Sequence, residues 1–201
     1  MRGIGLGAAI VMLATLALSG AGLFLSHGLI ERCLFRPYWF ARRGQWHTLI
    51  TSGLVHADLP HLLFNAVSFW FFAVPLEGII GTFRFCVLYV AALLLSLTGS
   101  WLKHRNDPEY ATLGASGAIS AAVFAAIVYQ PTSKLLILPI PFPIPAPLYA
   151  VGYLAYSWWS ARQNRGRINH DAHLGGALTG LLFVALTDPA AYPRAWAQVF
   201  G

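Results

Sequence analysis

The chain is a succession of apolar stretches, each near the roughly 20 residues that a helix needs to cross about 30 Å of hydrocarbon. They run from Ile4 to Leu25, Leu59 to Ile80, Phe83 to Leu102, Ala115 to Tyr129, Pro143 to Ser160 and Ala172 to Leu186. The expectation is an all-α membrane protein, with six transmembrane helices in a single domain over residues 1–201. Short polar loops join them, with one long exception. The first stretch could be read as a cleaved signal peptide, since it follows Met1-Arg2 and holds small residues at Ser19-Gly20-Ala21-Gly22. Its apolar run is longer than the roughly 7–15 residues of a signal core, which favours a retained helix.

Composition points the same way. Of 201 residues, 57% are hydrophobic and 10% charged, with a mean hydropathy of +0.62. A soluble domain carries about a quarter charged residues. Too little polar surface is left to coat a globule in water, so the natural solvent is lipid. The net charge of +6 finds no basic stripe on a soluble module, which sets nucleic acid aside as a partner. Cys33 and Cys86 form neither a disulfide framework nor a zinc pattern.

The long exception, Ser26 to Val55, mixes Arg32, Arg36, Arg42 and Arg43 with Tyr38, Trp39, Phe40 and Trp46. Aromatic rings settle at headgroup depth and Arg reaches phosphates, so this segment reads as a partly helical loop on or in one leaflet. Further on, Pro139, Pro141, Pro143, Pro145 and Pro147 alternate. Each removes an N–H and clashes with a preceding helical turn. The spacing predicts an extended lead into the fifth span, leaving that helix free to tilt.

Polar groups inside membrane spans are costly unless paired, so three clusters carry functional weight. Gly114-Ala115-Ser116-Gly117 opens the fourth stretch, with Ala118, Ser120, Ala121, Ala122 and Ala125 beyond it. Ser116 follows the polar loop that starts at Lys103, which puts it just below the water boundary, and its flanking glycines allow close approach. Alone, the pattern is equally a helix-packing motif. In the sixth stretch His173, Gly176 and Gly180 share one helix face. If that face meets the small residues of the fourth helix, the His173 imidazole can reach the Ser116 hydroxyl, as a base must to within roughly 2.6–3.2 Å. Alone, His173 is equally a histidine bonded to a backbone carbonyl. In the second stretch His61 and Asn65 lie one turn apart and can both donate to a developing oxyanion. Alone, they are polar glue between helices. Together the clusters supply nucleophile, base and oxyanion donors from three spans. Asp171 lies on another face from His173, so the pattern is a Ser–His dyad rather than a triad.

From about Trp46 to Gly180 the chain resembles the rhomboid family of intramembrane proteases. The resemblance rests on His61-x-x-x-Asn65, Gly114-Ala115-Ser116-Gly117 and Ala172-His173-x-x-Gly176-x-x-x-Gly180, in that order. It implies a six-helix bundle in the lipid bilayer, needing no cofactor or metal, that hydrolyses peptide bonds in or beside the transmembrane helices of substrate proteins. By that analogy Ser116 attacks the carbonyl and His173 takes its proton. His61, Asn65 and the Ser116 N–H would hold the oxyanion, with Gly114 beside them. Water would reach the dyad through a cavity, and the fifth span would move to admit substrate. His56 and Glu77 fall where the family places polar residues, and with Gly117, Gly176 and Gly180 they are expected to support the site. Glu77 resembles a carboxylate that ties helix ends to loops. Two positions depart from the family pattern: Trp46-His47 stands where Trp-Arg is frequent, and Ser120 where many members carry an aromatic that stacks on the histidine.

The resemblance also implies a bacterial cell membrane with the N-terminus in the cytoplasm. The loops then hold four cations inside against nine outside, the reverse of the positive-inside rule; setting aside the four in the interfacial loop leaves four against five. A catalytically silent relative that binds membrane clients is the main rival. A transporter or metal protein using His56, His61, His170 and His173 is another, but no H-E-x-x-H or histidine–carboxylate pair shares a helix face.

Overall fold

The computed structural model describes residues 3–137, 141–163 and 168–201. Pro139, Arg165 and Arg167 lie outside them. Helix α1 (Leu6–Gly20) continues as a π-turn over Ala21–Leu25. The interfacial segment then folds into three short helices, α2 (His27–Cys33), α3 (Pro37–Arg42) and α4 (Thr48–Thr51). Helix α5 (Leu59–Ser68) passes through a second π-turn, Phe69–Ala73, into α6 (Val74–Ile80). Pro75 near the start of α6 lacks the N–H an unbroken α-helix would use, and the wider π-turn before it absorbs the mismatch. Helices α7 (Thr82–His104) and α8 (Ser116–Tyr129) follow. Strands β1 (Lys134–Leu135) and β2 (Ile144–Pro145) pair antiparallel before α9 (Ala146–Gln163), α10 (His170–Thr187) and α11 (Ala191–Phe200).

The chain is mostly helical, and each of the six apolar stretches holds a helix. Three segments, Leu6–Leu25, Leu59–Ile80 and Thr82–His104, are long and apolar enough to cross a membrane; α10 with α11 also qualifies, but the two meet at a 107° bend. The all-α expectation needs one amendment, the two-residue β1–β2 ladder. Of the described prolines in the alternating run, Pro145 is in the strand but Pro147 falls in the first turn of α9, so the extended lead ends at Pro145; the Ala146 N–H donates to Ser133 O at 2.9 Å where α9 begins. The fifth and sixth helices start at Ala146 and His170, a few residues from the expected Pro143 and Ala172.

Helix α8 is the axis of the bundle. Every residue from Gly117 to Val128 is buried, which suits a helix apolar on all sides. At 14 residues it is about 21 Å long, shorter than the roughly 30 Å of hydrocarbon. Helix α10 lies against it at very short range: a Cβ at Gly176 would overlap the Gly117 carbonyl oxygen, and one at Gly180 that of Ala121. Helix α7 closes the third side, where a Cβ on Gly117 would sit 2.6 Å from Ser96 Oγ. Small residues are what allow three backbones to approach so closely. The outer faces carry exposed Leu6, Leu13, Phe71, Phe83 and Leu186, an apolar surface matched to lipid.

Glu77 fastens the bundle's other end. Its buried carboxylate accepts from the Gly7 and Ala8 N–H groups at 2.9 and 2.7 Å and from Thr82 Oγ1 at 2.7 Å. The donors at the start of α1 have no intrahelical partners, and a carboxylate there also meets the positive end of the helix dipole. A single side chain thereby joins the first turn of α1 to the α6–α7 corner.

Candidate active site

Four of the residues singled out in the sequence line one cavity of about 760 Å³: Ser116 from α8, His173 from α10, and His61 and Asn65 from α5. Asp58, Tyr110, Thr112 and Asn169 line it as well. A second cavity of about 330 Å³ touches Ser116, His173 and Asn65 from the other side, between α5, α8 and α9. Its walls are chiefly apolar, with Phe64, Val67, Phe72 and Phe124 among them. Among the described residues no hydrogen bond joins the Ser116 hydroxyl to the His173 ring. Such bonds commonly tighten only once substrate is bound.

Local sequence explains how each group is held. Asp58 caps α5 by accepting from the His61 N–H at 2.7 Å, setting the first turn that carries His61. Asn65 Nδ2 donates to His61 O at 3.0 Å, which engages one of its two hydrogens and leaves the other for a ligand. Gly114 has φ +113°, a conformation L side chains rarely adopt, and a Cβ there would lie 2.7 Å from His61 Cε1. The turn before Ser116 therefore runs directly beneath the His61 ring. The Gly114 N–H donates to Ser52 O at 2.8 Å, which ties that turn to the end of the interfacial segment. Helix α8 has no side-chain cap, so its first N–H groups, at the positive end of the helix dipole, take no local side-chain acceptor.

His56 stands behind this turn and is fully buried. Ser19 Oγ is 3.0 Å from Leu54 O and 2.9 Å from His56 Nδ1. The carbonyl can only accept, so the hydroxyl proton goes to it and Nδ1–H must donate to Oγ. Nε2 then keeps its lone pair and accepts, at 3.5 Å, from the Ala115 N–H. This network needs a neutral ring. Burial, with the neighbouring His61 adding to it against an opposing Asp58, pushes His56 from 6.5 down to about 4. The unfolded chain binds this proton below about pH 6.5 and the folded one only near pH 4, so stability is greatest above that window and falls as pH drops through it, by about 3 kcal/mol in total. Thermal unfolding in detergent from pH 7.5 to 4 should show this loss in the wild type, and a His56→Gln variant should show a flatter profile by that amount.

Asn169 and Tyr153 bear on the site although their sequence context did not single them out. Asn169 caps α10, its Oδ1 accepting from the Ala172 N–H at 2.9 Å, while its Nδ2 donates to Ser100 Oγ at 2.8 Å and Thr112 Oγ1 at 3.0 Å. An Asn just before a helix start is a recognisable cap signal; its reach to two other segments is not. Tyr153 of α9 has no local signal at all, yet its ring faces His173 and its hydroxyl lies 3.0 Å from Ser120 Oγ. The Ser120 departure therefore leaves no gap at this place. At the other departure, His47 Nε2 donates to Arg32 O at 3.2 Å, which stitches the interfacial segment across itself. Asp171 turns away from His173 to pair with Lys103 at 3.2 Å. Among the described residues no three His, Cys, Asp or Glu side chains gather as metal ligands.

Helices of spanning length around a central helix, with polar side chains converging on a cavity at its first turn, define a polytopic membrane protein with a polar site among its helices. Comparison with known proteins assigns the family: residues 43–189 match the Rhomboid domain. The chain belongs to the rhomboid family. YdcA of Bacillus subtilis (strain 168) is 41% identical over 38% of this chain and 37% of its own length. The Rhomboid protease GluP of the same organism is 27% identical over 71% of the chain and 26% of its own length. RHOMBOID-like protein 12, mitochondrial, of Arabidopsis thaliana is 28% identical over 68% of the chain and 45% of its own length. The chain thus spans less than half the length of each of these relatives.

Proposed function

We propose that the protein is an intramembrane serine endopeptidase that cuts peptide bonds in or beside transmembrane helices of membrane-protein substrates, with Ser116 and His173 as a catalytic dyad. The observation that carries this reading is that Ser116, His173, His61 and Asn65, from three helices, all face one cavity. Ser116 Oγ attacks the scissile carbonyl as its proton passes to His173. The negative charge that develops on the carbonyl oxygen is met by the Ser116 N–H at the head of α8 and by donors from His61 and Asn65. His173 then gives its proton to the leaving amine, and water drawn from the larger cavity hydrolyses the acyl-enzyme by the same steps. The apolar cavity between α5 and α9 suits a substrate helix approaching from the bilayer.

The six spans of this reading are α1, α5 with α6, α7, α8, α9 and α10, forming one domain over residues 1–201. Relatives in Bacillus subtilis support a bacterial cell membrane as its location. The deciding experiment treats purified protein with a fluorophosphonate probe. Labelling of wild type that disappears in Ser116→Ala and His173→Ala establishes an activated serine and its base. A folded wild type that takes no label in several detergents turns the reading to a catalytically silent binder of membrane clients.

A further inference from the structure

Helix α9 contributes few buried residues, namely Ala146, Ser157 and Ser160, and its inner face beside the site is aromatic. There the Tyr153 ring lies nearly parallel to the His173 imidazole, at 20° with centroids 6.2 Å apart. This is an offset-stacked arrangement within the distance range such pairs favour. The tyrosine is held from three other directions. Its hydroxyl is bonded to Ser120 Oγ, one turn beyond Ser116 on α8. Phe124, a further turn along, has its ring centroid 5.5 Å away, and Tyr149 of α9 has its own at 5.4 Å. Its position is thus set from both α8 and α9, and it faces the ring assigned above as the base.

We propose that Tyr153, tethered by Ser120, is a positioning residue for His173: it fixes the plane of the imidazole and favours the cation formed when Ser116 is deprotonated. This rests on the Ser116–His173 dyad proposed above. The chemistry follows from the ring face, whose quadrupole attracts a cation, most strongly where water is excluded. A further consequence follows from the topology. The tether joins α8, which bears the nucleophile, to α9, and Tyr149 and Tyr153 wall the apolar cavity that a substrate helix would occupy. The stack on His173 therefore depends on the placement of α9 as well as of α8.

The test compares wild type with Tyr153→Leu, Tyr153→Phe and Ser120→Ala in fluorophosphonate labelling and in kcat and KM for a single-span reporter fusion. Tyr153→Leu, which removes the ring, should lower kcat and the labelling rate about 10-fold with KM within twofold. Tyr153→Phe keeps the ring and should stay within about threefold of wild type. Leu labelling at the wild-type rate, or Phe as deficient as Leu, overturns the proposal. If Tyr153→Leu does not fold, Ser120→Ala and Tyr153→Phe decide it: both delete the same bond, so their small losses should not add in the double variant, and additive losses overturn the tether. A wild type that takes no label at Ser116 is a different failure, that of the dyad itself.

Discussion

Replacing Ser116 with alanine is expected to lower cleavage of a single-span reporter fusion by at least about 10⁴-fold while leaving the fold intact. The proposed nucleophile is lost, since Ser116 carries the one hydroxyl on the first turn of α8 (Ser116–Ile119). The structural loss is small. Ser116 is only partly buried, its hydroxyl makes no hydrogen bond among the described residues, and alanine is a better helix former. His173→Ala should fall to a similar level, and the double variant should be no worse than either single one, because nucleophile and base act as a unit. Single His61→Ala and Asn65→Ala changes should cost less, about 10²–10³-fold each, as donors to an oxyanion do. Equal melting curves with this graded series would separate nucleophile, base and oxyanion donors. Cleavage at an undiminished rate by folded Ser116→Ala would remove the dyad from the reaction.

The second large effect is expected from a methyl group. Gly176→Ala places a Cβ on the Gly117 carbonyl oxygen, and backbone atoms cannot rotate aside as a side chain could. Helix α10 must therefore withdraw from α8, carrying His173, which lies on the same face three residues earlier. Displacements near 1 Å at a reacting group cost about 100-fold in rate, so activity should fall at least that far. Overpacking of this kind also costs stability, by about 1–3 kcal/mol. Gly78→Ala on α6 and Gly152→Ala on α9 are the controls, since a Cβ at either meets nothing within 4 Å. Both should keep wild-type activity. A Gly176→Ala protein with normal melting and normal cleavage would show that the α8–α10 approach does not set the geometry of the dyad.

Taken alone, the sequence determined the main helices and the inventory of reactive groups, but not the two π-turns, the β1–β2 ladder or α11. Apolar stretches of membrane length dictate helices, and all six stretches hold one. Spacing within a helix dictates which side chains share a face, so His61 with Asn65, and His173 with Gly176 and Gly180, were legible before any fold was known. Small residues marked the faces of α8 and α10 that could meet, which matters here because a helix apolar on every side gives no other sign of which way is inward. Only the tertiary structure decided the partners across long separations. Glu77 reaches the first turn of α1, Ser19 sets the tautomer of His56, Asn169 joins Ser100 to Thr112, Lys103 takes Asp171, and Tyr153 stacks beside His173. Most of these pairs lie tens of residues apart, and no local periodicity records them. They are made where helices cross, and a crossing depends on how closely two backbones can approach, a property of both helices together.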